Sequence, residues 1–333
     1  MLVRLGYVAM SVLVKNASPS KTMTYTSFAK LEDREAALRK LERLAEENLA
    51  NTLRLLKHNR AHDIELYRCS SKLIPLIGHG ELADWDPMER LAGAFADVGR
   101  YAKEHGMRLS FHPDHFTVLS TPREEVLAHS VDDLKRHVRM LGAMGLDNTA
   151  KCNIHVGGTY GDKESAGARF IRNFQALPPE IRERVTLEND DKTFNALETL
   201  EIAEQVGVPM VLDIHHDQVN SSGQTAEELW PRIARTWSGQ KERQEMGAAS
   251  DTRPLPPKIH VSSPKSDKDP RGHADYIDPA VLLAFLRSIA PSTPRLDVML
   301  EAKMKDDSLM QLMLAVRDEP DVTIRTQASF ELG

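Results

Sequence analysis

Residues 205–216 read QVGVPMVLDIHH. A helical segment runs into Gly207, the residue type that ends helices by taking a left-handed conformation. An apolar run of strand type follows, and at its end stand Asp213, His215 and His216. Ionisable side chains at the end of a strand entering a core need partners, because an unpaired buried charge costs several kcal/mol. A metal ion is one such partner and a salt-bridge network is the other.

The pattern around this stretch recurs along the chain. The join EHGMRL at 104–109 is a second helix–Gly–strand passage. Runs rich in strand-forming residues at 2–8, 63–68, 107–111, 151–156, 184–188, 208–214, 257–261 and 296–301 each precede a helical pattern. The helices are expected at about 33–57, 87–105, 123–143, 164–176, 194–206, 225–235, 279–289 and 307–316. Asp86-Pro87, Thr121-Pro122 and Asp278-Pro279 each place a capping residue before a proline at a helix start. Eight strand–helix pairs spell a single α/β domain, a (β/α)8 TIM barrel over 1–320 with a C-terminal tail at 321–333. An open doubly wound sheet competes with this reading, but eight parallel strands favour closure. Loops at 9–31 and 236–256 are the notable insertions.

Bulk properties narrow the class. The 333 residues are 41% hydrophobic and 28% charged, an ordinary composition for a globular protein with a sizeable core. No run of eighteen apolar residues is present, so no membrane partner is expected. The N-terminal stretch reads as a first strand and its loop, without the charged start and small-residue cleavage site of a signal peptide. Two cysteines, Cys69 and Cys152, imply no disulfide framework and point to a reducing, cytoplasmic setting. A net charge of −6 argues mildly against nucleic acid, but the charge is unevenly spread. Residues 11–30 carry Lys15, Lys21 and Lys30 and no acid, and 258–272 add Lys258, Lys265, Lys268 and Arg271 against Asp267 and Asp269. A locally basic face on an acidic body suits phosphate binding, although a solvated surface has the same composition.

In a TIM barrel the catalytic face is built from the C-terminal ends of the strands. The third expected strand ends at His112, the fourth at His155 and the fifth at Glu188. The sixth ends at Asp213 with His216 beyond, the seventh carries Lys258 and His260, and the eighth stops at Glu301. Singly, a histidine at a strand end is more often a hydrogen-bonded packing residue, and Glu188 could pair with Lys258, or Glu301 with Lys303. Together, crowded carboxylates raise one another's pKa unless cations compensate. Mixed imidazole and carboxylate donors suit Zn²⁺, Mn²⁺ or Fe²⁺ better than Mg²⁺ or Ca²⁺. The ligand count exceeds one ion, so two or three with a bridging carboxylate are expected. Clusters with ions about 3.5–4 Å apart activate water and clamp both oxygens of a phosphoryl displacement. A metal-dependent sugar isomerase is the alternative; the histidine count and the basic first loop favour phosphodiester hydrolysis.

The stretches RLGYVAMS (4–11), YRCSSKLIPLIGH (67–79), RLSFHPDHF (108–116) and NIHVGG (153–158) resemble those of the UV damage endonuclease family. So do LENDD (187–191), LDIHH (212–216), KIHVSSP (258–264) and MLEAK (299–303), in the same order from first strand to last. The resemblance implies a DNA repair endonuclease that nicks UV-damaged duplex immediately 5′ to cyclobutane pyrimidine dimers and 6-4 photoproducts. Attack by metal-activated water would leave a 3′-hydroxyl and a 5′-phosphate. The family is similar in fold and metal cluster to trinuclear AP endonucleases, a second alternative activity.

Carried over by position, His112, His155 and Glu188 would hold one ion and Glu188, Asp213, His260 and Glu301 a second. His216 and His273 would hold a third, with an oxygen ligand such as Asp275. The implied metal is Mn²⁺, with Zn²⁺, Mg²⁺ and Co²⁺ as alternatives. Lys258 matches a lysine that the family carries in carboxylated form; near cations its depressed pKa leaves an amine that captures CO₂. Tyr7 and His79 match further pocket residues and complete the catalytic set with Lys258 and Glu188. His215 and Asp217 are candidates to orient the ligands. Where some members carry Gln-Tyr to probe the duplex opposite the lesion, this chain has His115-Phe116, able to wedge and stack all the same. Lys15, Lys21, Lys265, Lys268 and Arg271 are expected to grip phosphates. The partner is then damaged double-stranded DNA, met by a monomer, with selectivity from the lower cost of bending and unstacking a lesion.

Overall fold

The computed structural model describes residues 1–240 and 255–333. Its strands are β1 (Leu2–Val8), β2 (Leu66–Arg68), β3 (Arg108–Phe111), β4 (Lys151–His155), β5 (Val185–Glu188) and β6 (Met210–Asp213). They continue with β7 (Lys258–Val261), β8 (Pro264–Ser266), β9 (Asp269–His273), β10 (Arg295–Leu300), β11 (Val322–Thr326) and β12 (Ser329–Leu332). The helices are α1 (Tyr25–Ala29), α2 (Arg34–Ala61), α3 (Met88–Glu104), α4 (Glu124–Ala143), α5 (Lys163–Gln175) and α6 (Pro179–Arg182). After them come α7 (Ala196–Val206), α8 (Ile214–Val219), α9 (Ala226–Thr236), α10 (Pro279–Ile289) and α11 (Lys305–Val316).

Strands β1 to β7 and β10 pair in parallel, each with the next, and β10 returns to β1 to close the ring. The barrel is closed, as the eight strand–helix pairs predicted. Gly207 ends α7 at φ +72°, as its place in QVGVPMVL required. Asp278 caps α10 with Pro279 at its first position. At the other two proline starts the helix begins later: Pro87 lies just ahead of α3, and Thr121 Oγ1 accepts from Arg123 N before α4.

The strands alternate strictly, and this parity decides what the barrel contains. Leu109 and Phe111, Cys152 and Ile154, and Leu296 and Val298 bury themselves in the hydrophobic core under the helices. The intervening residues face inward and are polar. At the N-terminal end Arg4 grips Asp297 through Nε–Oδ1 (2.8 Å) and Nη2–Oδ2 (3.0 Å), and Arg108 Nη1 donates to Asp297 Oδ2 at 2.6 Å. Burial pushes the Asp297 carboxyl up, but Arg4 and Arg108 hold it below its usual range. The next layer holds Ser110, Asn153 and Lys258.

Residues 321–333, expected as a tail, include a hairpin of β11 and β12. Its β12 pairs antiparallel with the lower half of β1, Leu2 opposite Glu331, while β2 pairs only with Gly6–Val8 above it. The hairpin thus covers the edge that the three-residue β2 leaves open, and Phe330 is fully buried there. A second short hairpin, β8–β9, stands exposed after β7. Part of the expected insertion at 236–256 lies outside the described residues.

Candidate metal centre and nucleic-acid interface

The parity that points Arg108 and Ser110 inward places His112 next on the same face, at the C-terminal mouth. Lys151 and Asn153 lead in the same way to His155, Lys258 to His260, and Asp297 and Met299 to Glu301. Two groups of ligand atoms result, each within 4.8 Å: His112, His155 and Glu188, and Glu188, Asp213, His260 and Glu301. Donors on opposite sides of one divalent ion, with bonds of about 2.1 Å, stand roughly 4.2 Å apart. Both groups are therefore close enough to close around an ion, and Glu188 belongs to both.

Glu188 is 1% exposed. Its Oε2 lies 3.2 Å from His112 Nε2 and 3.1 Å from His260 Nδ1, and accepts from Asn153 Nδ2. Burial pushes this carboxyl up, yet His260 and His155 hold it well below the usual range. Glu301 lies 3.0 Å from His260 Nδ1 and pairs with Arg68. Asp213 begins α8 by accepting from His216 N at 2.8 Å, and its other oxygen is buried without a hydrogen-bond partner among the described residues. Burial raises the Asp213 carboxyl to about 7, against the pull of His216. An orphaned carboxylate oxygen facing imidazoles and carboxylates is what a metal ligand looks like before it is given its ion.

The histidines are oriented for the same task. His112 Nδ1 lies 3.0 Å from Pro113 O, His155 Nδ1 3.2 Å from Glu188 O, and His216 Nδ1 2.9 Å from Asn189 O. A proton on each Nδ1 satisfies these carbonyls and leaves Nε2 as the lone-pair donor. His273 Nδ1 makes the equivalent contact with Ser262 Oγ at 2.8 Å. His216 and His273 line the cleft beside the two groups, but neither joins them. Divalent metals fit this donor set.

Residues 3–331 match the family described as UV-endonuclease UvdE. The chain belongs to that family. It is 42% identical over 334 residues to a UV DNA damage endonuclease of Halalkalibacterium halodurans, covering 100% of both chains. It is 42% identical over 311 residues to one from Bacillus pumilus, covering 93% of this chain and 92% of that one. A crystal structure of SacUVDE superposes with a TM-score of 0.80 at 28% identity, covering 95% of this chain and 98% of that one.

Other expected site residues lie where parity and local geometry put them. Lys258 is buried in the barrel layer below the ligands, its Nζ 3.4 Å from Ser110 Oγ. Burial, then Arg108, pushes its amine well below the usual lysine range. Tyr7 is not in the mouth. It shares its face with Val3 and Leu5, and its hydroxyl donates to Asn59 Oδ1 of α2 at 2.7 Å, behind the barrel wall. His79 stacks on Tyr25 at 4.2 Å and caps the short turn at Gly80–Leu82, outside the cleft lining. His215 is anchored the opposite way, Nε2 to Pro270 O at 2.7 Å, with its ring edge-on to His273. Among the described residues Asp217 makes no hydrogen bond to an expected metal ligand; burial raises its carboxyl to about 6. Asp275 stands outside both ligand groups.

On the rim, His115 lines the cleft and Phe116 is 73% exposed, their ring centroids 4.1 Å apart. Lys15 and Lys268 are exposed. Lys21 is paired with Glu47 at 2.5 Å and Lys265 with Asp269 at 3.5 Å, while Arg271 Nε donates to Asp191 O at 3.1 Å. Sequence reasoning assigned no role to Arg68 or Asn153, which hold Glu301 and Glu188. It also passed over Asn189, whose side-chain amide accepts from Asp213 N and donates to Asp213 O, both at 2.9 Å. The alternation in KCNIH was a usable signal for Asn153; nothing in the spacing distinguishes Asn189.

The charge states have a measurable consequence. Burial lowers His216 and His260, but the carboxylates win and raise both to about 9: Asp213 and Glu188 for His216, Glu188 and Glu301 for His260. Without metal, these rings carry protons at neutral pH. Because their folded pKa exceeds the usual 6.5, they stabilise the metal-free chain fully below 6.5 and lose that contribution as pH climbs through about 9. Metal ligation needs the neutral ring, so affinity should rise over the same window. Mn²⁺ uptake at about pH 7.5 should release about one proton per chain from His260, which belongs to a ligand group. Calorimetric binding enthalpies in PIPES and in Tris should differ accordingly, and equal enthalpies would contradict these charge states.

Proposed function

We propose that this protein is a metal-dependent DNA repair endonuclease that nicks UV-damaged duplex immediately 5′ to the lesion. The observation carrying this reading is the pair of ligand groups sharing the buried Glu188 at the floor of an open cleft of about 760 Å³. The relatives named UV DNA damage endonuclease support the substrate class. Divalent ions, Mn²⁺ foremost, would supply Lewis-acid activation of water and neutralise charge on a phosphodiester.

The chain's own residues perform the remaining tasks. His112, His155, Glu188, Asp213, His260 and Glu301 would hold the ions, with His216 and His273 adjoining on the cleft wall. Asn153, Asn189 and Arg68 keep the carboxylates in place. Lys258, whose amine burial pushes well below the usual lysine range, would add to CO₂ from its neutral form, making a carbamate N–C bond with loss of one proton. His115 and Phe116 would enter the base stack where the lesion has weakened it. Cleavage would leave a 3′-hydroxyl and a 5′-phosphate.

The test is a nicking assay on supercoiled plasmid. The Mn²⁺-loaded protein should relax UV-irradiated plasmid and leave undamaged plasmid supercoiled, with EDTA abolishing the reaction. A duplex carrying one dimer should be cut directly 5′ to it. If irradiated DNA stays intact while an aldose is isomerised, the sugar-isomerase alternative replaces this reading; cutting at abasic sites alone would make it an AP endonuclease.

A further inference from the structure

The cleft presents two cations that the sequence pattern did not single out, Lys72 in the loop after β2 and Lys192 in the loop after β5. Strands 2 and 5 of an eight-membered ring stand on nearly opposite walls, with the acidic ligand cluster between them. Three other cations of this end are already paired: Arg68 with Glu301, Arg271 with Asp191 and Lys21 with Glu47. Lys72 makes no ion pair among the described residues. Lys192 has an exposed side chain, with Nζ 3.9 Å from the carboxylate next to it, Asp191.

Both lysines are exposed while their backbones are fixed by a buried polar side chain. The amide of Asn48, fully buried on α2, accepts from Lys21 N at 2.8 Å and donates toward Lys21 O, Lys72 O and Leu73 O. It thereby ties the loop after β1 to the one that carries Lys72. Asp190, 8% exposed, accepts from Lys192 N at 2.8 Å, and from Thr193 and Phe194 as well. Each loop holds its Cα in place and sends only the flexible stem into the cleft. That arrangement suits a point charge that must follow a phosphate.

We propose that Lys72 and Lys192 form a two-point clamp on backbone phosphates of the strand that crosses the mouth. The proposal rests on the nucleic-acid reading above and deepens it. Carboxylates on the cleft floor repel a polyanion, and cations on both walls offset that field and hold the strand over the ligand groups. Contacts of this kind position without reading sequence or damage.

The probe is undamaged duplex, which the full-length Mn²⁺-loaded protein should bind without cutting. Binding is followed by anisotropy from about 50 to 200 mM salt. Lys72→Ala and Lys192→Ala should each make the log–log salt slope shallower by about 1, and the double variant by about 2. Lys72→Arg and Lys192→Arg should keep the wild-type slope, as should Lys40→Ala on the exposed side of α2. A double alanine variant with the wild-type slope overturns the clamp. So do arginine variants as weak as the alanine ones, since shape and not charge would then matter. Nicking of irradiated plasmid is measured in parallel. Wild-type protein that fails to nick, while the slopes shift as expected, removes the repair reading and leaves the clamp standing.

Discussion

Glu188→Gln should lower cleavage of irradiated DNA by at least about 10³-fold and should strip metal from both ligand groups. Glu188 is the one residue the two groups share, so its loss is felt twice. Asp213→Asn, by contrast, touches a single group. A metal's charge stabilisation is worth several kcal/mol, and each 1.36 kcal/mol is a factor of ten in rate. Glutamine nearly preserves the volume of the side chain but brings a neutral amide. Its NH₂ faces Asn153 Nδ2 or the His112 and His260 rings, all of which now address a carboxylate. The fold should survive, because the Arg4–Asp297–Arg108 layer and the apolar shell under the helices lie away from the mouth. Elemental analysis should find fewer ions per chain, with an unchanged far-UV spectrum. Full metal content together with full activity in this variant would remove Glu188 from the centre of the site.

Why Glu188, Asp213 and Glu301 were legible in the sequence is a matter of periodicity. Each stands at the end of a buried strand, and a period of two carries the inward face from one layer to the next. The β8–β9 hairpin and strand β11 escaped because they lie largely at the surface. β8 is exposed at all three positions, so no apolar alternation marks it. Helix α8 escaped because Asp213 is at once the last residue of β6 and the cap of α8, leaving no loop between them. Tyr7 was placed in the pocket by resemblance, against the parity that Arg4 and Gly6 already set in the same strand. The expected phosphate-gripping lysines differ in their present partners for another reason. Whether a lysine is available depends on carboxylates distant in the chain, such as Glu47 for Lys21, and composition carries no record of such pairs. Lys72 and Lys192 are equally ordinary in the sequence; only the cleft distinguishes them.

The pair His115→Ala/Phe116→Ala should leave metal content nearly unchanged and reduce the preference for damaged over intact duplex by roughly ten- to a hundredfold, since stacking is worth about 1–3 kcal/mol per base. Leaving a phenylalanine 73% exposed forgoes most of the about 1.5–3 kcal/mol that burying it would contribute. Floppiness of the loop does not account for that exposure. Thr117 N bonds Asp114 O at 2.9 Å, Thr117 Oγ1 bonds Asp133 Oδ2 at 2.6 Å, and Val118 N bonds Ser130 Oγ at 2.9 Å, so α4 holds the segment directly after Phe116. His115 Nδ1 lies 2.6 Å from Asp114 Oδ1, which fixes the neighbouring ring as well. A pinned loop that exposes an aromatic pair at the cleft rim has its ordering entropy settled before DNA arrives, and insertion then costs mainly the unstacking of the duplex. That unstacking is cheapest at a lesion, so the wedge converts a difference in duplex stability into a difference in affinity. The clamp lysines carry no such dependence: their variants should weaken both duplexes alike. Competition binding with irradiated and intact duplexes of one sequence separates the two effects, and an undiminished preference in the double alanine variant would show that damage is sensed elsewhere along the cleft.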